Sequence, residues 1–321
     1  MDKFWIKTGA RLHLGHLDLN GSLERLYGGL GLAVDQPQLE VVVQKQTDLC
    51  ILCPTDERER IEKIACKYLE YYKLPGIKIE VINSLPSHSG LGSGTQLALA
   101  LGFAITRVYG LETPIAELAV ITDREGSRSG IGVAAFEQGG FVVDGGKPIN
   151  SKTDDRFLIP PLLARMPFPE EWAVILALPH KEEKIFGSQE EKAFNSLPPM
   201  DEQISATICR LVLMKLLPSL QEKNLLEFGQ AVTTIQNYVG NYFAPFQGGK
   251  YSSPLGFELE KFLLSQGATG IGQSSWGPTI YAFTTLENSI RLLEHTRSFL
   301  GKRGQVWIVK GTNRGASWGW K

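Results

Sequence analysis

The run Asn83-Ser84-Leu85-Pro86-Ser87-His88-Ser89-Gly90-Leu91-Gly92-Ser93-Gly94-Thr95-Gln96 constrains this chain more than any other, because an alternating segment passes through it straight into an apolar one. Upstream, Ile77, Ile79 and Val81 alternate with Lys78 and Glu80, which predicts a half-buried strand. Downstream, Leu97, Leu101, Ile105 and Val108 recur at helical spacing. Gly90, Gly92 and Gly94 carry no Cβ, so the backbone between the two elements can take positive φ and approach an anion closely. Ser93 and Thr95 add hydroxyls beside the orphan N–H groups and positive dipole end of the new helix. The run reads as a phosphate cradle. It lacks a Gly-Lys-Ser/Thr ending and is therefore not a Walker P-loop.

Glycine-rich loops also serve as plain turns and helix caps, so context decides between the two readings. Two other glycine-punctuated polar segments supply it. One is Ala10-Arg11-Leu12-His13-Leu14-Gly15-His16-Leu17-Asp18-Leu19-Asn20-Gly21, the other Gly270-Ile271-Gly272-Gln273-Ser274-Ser275-Trp276-Gly277-Pro278-Thr279. Three such segments spread along the chain suggest one shared site.

The order of these segments resembles the GHMP kinase superfamily, whose second motif has the form Pro-x-x-x-Gly-Leu-Gly-Ser; Pro86 to Ser93 matches it position by position. Three further stretches resemble one branch, the β-ribofuranosylaminobenzene 5′-phosphate synthases. They are Arg11-Leu12-His13-Leu14-Gly15, the loop from Ser129 to Phe141, and Gly272 to Thr279. The resemblance covers nearly the full length. It implies an α+β, two-domain GHMP-kinase-like fold: residues 1–165 an N-terminal domain holding the phosphate loop, residues 166–321 a ferredoxin-like domain, and the site in the cleft between them.

One departure from the kinase pattern carries chemical weight. Superfamily kinases commonly have Pro-Ser-Gly-x-Asp, with the Asp placed to take a proton from the attacking hydroxyl, whereas this chain reads Arg128-Ser129-Gly130-Ile131-Gly132. Glycine cannot be a base, and general-base help is worth about two to four orders of magnitude in rate. A fold that keeps the phosphate loop without the base suits a substrate whose pyrophosphate is held as a leaving group. The branch resemblance therefore implies transfer of ribose 5-phosphate from phosphoribosyl pyrophosphate to 4-aminobenzoate or 4-hydroxybenzoate, with loss of CO₂ and pyrophosphate, in a methanopterin-type pathway. It implies Mg²⁺ as cofactor, with no ATP requirement. The alternatives are an ATP-dependent small-molecule kinase and a non-catalytic ligand-binding relative.

Strand alternation puts Arg11, His13 and Gly15 on the face opposite Leu12 and Leu14, so Arg11, His13 and nearby Asp18 are the catalytic candidates. A guanidinium fits a phosphate or carboxylate bidentately. His16 reads as structural. Ser89, Gly90, Gly92, Ser93, Gly94, Thr95, Arg128, Ser129 and Gly130 form the expected phosphate-binding set; Arg124 joins Arg128 in flanking a turn at Gly126-Ser127. His88, Gln273, Ser274, Ser275 and Trp276 are expected to contact the substrate, the Trp through its aromatic face. Asp18, Asp123, Glu125 and Glu137 are the carboxylates that could hold Mg²⁺, but no spacing among them is diagnostic, so the metal ligands stay unassigned.

Composition agrees with an ordinary globular enzyme. At 321 residues there is room for two domains, and a formal net charge of −1 gives no electrostatic footprint for nucleic acid. The charged start and the short apolar run from Leu97 to Thr106 fit neither a signal peptide nor a membrane span. Small-molecule substrates, a cytoplasmic location and a homodimer are expected, with no nucleic acid or membrane partner. Cys50 and Cys53 have CxxC spacing, but Val41 to Leu52 reads as strand, where positions three apart face opposite ways, so these thiols read as small buried side chains.

Helices are expected over Asp56 to Tyr72, after Thr113-Pro114 to Thr122, and near Glu202 to Leu217, Asn224 to Val239 and Leu255 to Gln266. A strand is expected over Trp172 to Leu178. Pro160, Pro161, Pro167 and Pro169 interrupt any regular element between Ile159 and Trp172, and mark the domain boundary.

Overall fold

The computed structural model describes residues 2–122, 129–149, 159–180 and 196–321. Two long antiparallel strands, β1 (Phe4–Asp18) and β2 (Arg25–Lys45), form the spine. Next come β3 (Cys50–Leu52), α1 (Arg58–Tyr71), β4 (Ile77–Asn83), α2 (Ser93–Val108), α3 (Ile115–Ile121), α4 (Ile131–Glu137), β5 (Phe141–Asp144), β6 (Lys147–Pro148) and β7 (Leu162–Met166). The second half holds β8 (Trp172–Pro179), α5 (Glu202–Leu211), α6 (Leu217–Gln221), α7 (Leu225–Gln247), α8 (Pro254–Ser265), β9 (Thr269–Gln273), β10 (Ile280–Thr285), α9 (Leu286–Leu300), β11 (Gly304–Val309) and β12 (Ser317–Trp320).

The first sheet runs β12-β1-β2-β4-β3; β5 and β6 also pair with β2, and β7 pairs with β5. The second is a four-stranded antiparallel sheet in the order β11-β8-β10-β9. Together they make a mixed α/β fold of two sheets with helices packed on both. The β8 sequence is apolar throughout because both of its faces are covered. Val174 and Leu176 join Phe228 and Ile235 of α7 in the main core, while Ile175 and Ala177 meet Leu259 of α8 and Leu292 of α9. Close approach of α7 to β9 depends on glycine: a Cβ on Gly272 would lie 2.5 Å from Gln236 Cγ. In the first half the single hydroxyl proton of Tyr68 in α1 is shared between the carbonyl oxygens of Leu118 (2.8 Å) and Ala98 (3.0 Å), tying three helices together.

The expected helices form, but several details differ from the sequence reading. The strand expected over Val41 to Leu52 breaks at residues 46–49, and Cys50 and Cys53 are half-buried free thiols rather than fully buried ones. The proline-rich stretch expected to lack regular structure contains β7. Its prolines lie outside Leu162–Met166, so they remove no hydrogen-bond donor from the ladder with β5. The last strand, β12, returns to pair with β1, so a division into 1–165 and 166–321 leaves it on the sheet of the first part. Among the described residues the helical run Glu202–Gln221 is long and apolar enough to cross a membrane by composition. Its Ile208, Val212, Leu216 and Leu220 are nevertheless packed in the core, while Leu213 and Met214 face outward.

Candidate active site

The glycine loop is held from two directions through its carbonyl oxygens. Gly90 O accepts from Arg11 Nη1 and from Ser274 Oγ, each at 2.7 Å. Leu91 O accepts from the Arg11 backbone N–H at 3.1 Å, and Ser89 O accepts from Thr279 Oγ1 at 2.6 Å. Ser274 Oγ in turn accepts from the His13 N–H at 3.0 Å. All three segments singled out in the sequence are thus joined by direct hydrogen bonds. With its carbonyls engaged behind it, the loop leaves the first-turn N–H groups of α2 as donors; Gly92 is the N-cap at φ +78°, followed by Ser93, Gly94 and Thr95. That is the geometry of an anion site.

Beside the loop lies a cleft of about 690 Å³, open mouth included. Arg11, His13, Gly15, His16 and Ser129 line it together with Gln236, Val239, Gly240, Phe243, Gln247, Lys250, Gln273, Ser275 and Trp276, and the His16 and Phe243 ring centroids are 6.2 Å apart. His13 is 6% exposed, and its pKa is pushed well below 6.5 by burial first, then by His16 and Arg11. It is therefore a neutral imidazole at pH 7, able to accept a proton or to hydrogen-bond without adding charge.

His16 shares this cleft, its ring centroid 4.7 Å from that of His13, which corrects the structural reading. Residues three apart on a regular strand face opposite ways; the irregularity between His13 and Gly15, with Gly15 at φ +131°, turns the strand so that both imidazoles face one cavity. Sequence alternation cannot see a bulge.

Asp18 is elsewhere. Its Oδ1 accepts from the N–H groups of Asn20 (2.7 Å) and Gly21 (3.2 Å), a local turn that accounts for its carboxylate, and it does not line the cleft. His88 is exposed at φ +52°, also off the cleft wall, and Glu137 is exposed at the end of α4. Arg128, Arg124, Asp123 and Glu125 lie outside the described residues. Gln273 serves as a hub: its Oε1 accepts from Ser252 N and Oγ, and its Nε2 donates to Gln247 Oε1 and Ser275 O.

Asp144 organises the third segment. It is 1% exposed, and Oδ2 accepts from Ser129 Oγ and Gly130 N–H, both at 2.9 Å, while Oδ1 accepts from Gly146 N–H at 2.9 Å. Burial raises its pKa, and these donors oppose the rise. Sequence reading missed Asp144; the signal was an acidic residue closing the apolar strand Phe141-Val142-Val143 just before Gly145-Gly146.

Gly132, the position at which the resemblance to the kinases would put a base, is tightly packed. A Cβ on Gly132 would lie 2.9 Å from Thr95 Cγ2, so a longer side chain there collides with the first turn of α2.

Comparison with known proteins agrees with this architecture. The model of the GHMP kinases N terminal domain matches residues 59–140. The chain is 36% identical to β-ribofuranosylphenol 5′-phosphate synthase of Archaeoglobus fulgidus over 319 residues, covering 97% of each protein. The chain belongs to the β-ribofuranosylphenol 5′-phosphate synthase family. The family member from Methanocaldococcus jannaschii is 34% identical over 334 residues, covering 97% of this chain and 98% of that one. Homoserine kinase from Cytophaga hutchinsonii superposes with a TM-score of 0.69 at 21% identity, over 99% of this chain and 98% of that one, so the synthase family shares the GHMP kinase fold.

Proposed function

We propose that this chain is a decarboxylating phosphoribosyltransferase, joining phosphoribosyl pyrophosphate to 4-hydroxybenzoate or 4-aminobenzoate in a methanopterin-type pathway. One observation carries the reading. A single cleft is lined both by Arg11, whose guanidinium donates to the glycine loop that caps α2, and by Phe243 and Trp276, whose ring centroids are 4.8 Å apart. The guanidinium and the capped loop suit phosphates, and the two rings an arene.

In this reading the bond from ribose C1 to pyrophosphate breaks, its electron pair leaving with pyrophosphate. The ring carbon bearing the carboxylate bonds to C1. The bond from that carbon to the carboxylate then breaks, its electrons restore the aromatic ring, and CO₂ departs without any net proton. Arg11 and the α2 N–H groups stabilise the negative charge gathering on the leaving group, in preorganised form. Neutral His13 lines the same cleft as Arg11 and adds no charge that would bind phosphate. Trp276 and Phe243 keep water from a cationic ribose. No covalent nucleophile is needed.

Mg²⁺ is proposed to enter with the pyrophosphate of the substrate, as its counter-ion. Among the described residues no three His, Cys, Asp or Glu side chains gather where they could hold a metal. The steps above belong to the chain's own groups. ATP is not required in this scheme, and the obstruction at Gly132 favours it over a kinase.

The second half is proposed to be a ferredoxin-like domain. Read across the sheet, β11, β8, β10 and β9 are the fourth, first, third and second strands of this half in chain order, with helices between β8 and β9 and between β10 and β11.

The test is stoichiometry. With Mg²⁺, phosphoribosyl pyrophosphate and 4-hydroxybenzoate, pyrophosphate and CO₂ are expected in equal amounts. Pyrophosphate without CO₂ would mean attack through another atom or by water, and ADP formed from ATP and a small alcohol would favour the kinase.

A further inference from the structure

We propose that Gln247 is the specificity-determining residue for the arene acceptor, its amide oxygen accepting a hydrogen bond from the substituent opposite the carboxylate. The inference rests on the transferase reading and names how that same cleft chooses its acceptor.

The chemistry fixes which way the ring lies. The carbon carrying the carboxylate must meet ribose C1, whose phosphates belong with Arg11 and the glycine loop in the proposed function. In this proposal the group on the far side of the ring points away from Arg11 and is seated at Gln247, which lines the same cleft as Val239, Phe243 and Trp276. The charge there is balanced. Lys250 is a cation on the cleft wall, but its ammonium is ion-paired with Glu260 and lies 4.9 Å from the centre of the Tyr251 ring. A compensated pair offers little to a carboxylate and suits a neutral hydroxyl or amine.

The amide orientations are set by groups that cannot be reversed. Ser252 N–H can only donate, so the Gln273 atom 2.8 Å from it is oxygen, and the other Gln273 terminal atom is a donor. That donor reaches Gln247 Oε1 at 3.2 Å. Gln247 Nε2, on its other side, donates to the carbonyl oxygen of Lys250 at 2.8 Å. Backbone groups thus require the same Gln247 orientation from both directions. A carbonyl oxygen has two lone pairs, and Gln273 is the donor to Gln247 Oε1 among the described residues, which leaves one lone pair for a substrate O–H or N–H. An acceptor at this place also helps the reaction, because drawing on the O–H or N–H proton pushes electron density into the ring toward the carbon that attacks.

A site built to receive a substrate O–H disfavours an analogue without it, since the second lone pair of the acceptor is then covered by the arene and left without a donor. The decisive measurement is calorimetric titration of the full chain, with Mg²⁺ and pyrophosphate present, by 4-hydroxybenzoate and by 4-fluorobenzoate, which has similar size and no proton to donate. The unmodified chain is expected to bind 4-hydroxybenzoate about tenfold or more tightly than 4-fluorobenzoate. Gln247→Leu should bring the two within about twofold, whereas Phe243→Ala should weaken both alike. Equal binding of the two arenes by the unmodified chain, binding of neither, or discrimination that survives in Gln247→Leu would overturn the proposal. The comparison in the unmodified chain needs no variant to fold. Failure of the transferase reading shows separately, as absence of pyrophosphate release from phosphoribosyl pyrophosphate and 4-hydroxybenzoate.

Discussion

Arg11 and Gly92 share one volume: a Cβ on Gly92 would lie 2.8 Å from Arg11 Cγ and 3.0 Å from its Nε. The guanidinium can reach Gly90 O because its stem runs across the bare α-carbon that caps α2. Strand and loop therefore depend on each other.

Gly92→Val should leave a folded protein with activity reduced about 100-fold or more, the scale of a misplacement of about 1 Å at a reacting centre. The φ of +78° disfavours any branched residue, and the branches displace Arg11. Far-ultraviolet circular dichroism alongside steady-state rates checks it; a folded variant turning over normally would count against the cradle.

Arg11→Lys keeps the charge and loses the planar fork. Hydrogen bonds to charged groups are worth about 1.5–3 kcal/mol, so the KM for phosphoribosyl pyrophosphate should rise about tenfold or more while that for the arene changes little. A parallel rise in both constants would place Arg11 away from the phosphates.

Asp144→Asn should weaken both stability and turnover. Oδ1 and Oδ2 together accept from Ser129 Oγ, Gly130 N–H and Gly146 N–H, and an amide nitrogen in place of one oxygen leaves a buried donor unmatched. The cost is about 1–3 kcal/mol, read by denaturant titration. Unchanged stability and activity would show that Asp144 does not organise the segment.

His13 sets a pH dependence. Its folded-state pKa lies well below 6.5, so as pH falls below that value the unfolded chain takes up a proton that the folded one refuses. Stability is full above 6.5 and declines as pH falls toward the folded value, by at most about 1.4 kcal/mol per pH unit from this group. His13→Gln should flatten that part of the melting-temperature profile, and an unchanged slope would refute the assignment.

Gly132→Asp should not create a kinase. The new side chain meets Thr95 before it can approach a substrate hydroxyl, so ADP release from ATP with homoserine or mevalonate should stay at background and the melting temperature should drop. Measurable ADP release by the variant would show that the missing base alone separates this chain from the kinases.

The sequence by itself determined the local elements whose cause is local. The alternation of Ile77, Ile79 and Val81, the glycines that follow, and the helical spacing from Leu97 gave strand, loop and helix as found, because period and Cβ-free turns act over a few residues. It also marked Arg11, His13 and Ser274 for one site, and these residues join there through Gly90 and each other. Tertiary structure alone decided the rest. His16 entered the cleft through a strand irregularity, Asp18 was withdrawn by a two-residue turn, and Asp144 gained its role from donors on loops that folding brings to it. Phe243 and Gln247 lie on a helix that looks merely amphipathic in sequence, and Lys250 just follows it. They become a cleft wall because glycines at 229, 240 and 272 let α7 settle against β9 and the chain that follows the helix, an approach fixed by contacts between residues distant in the chain.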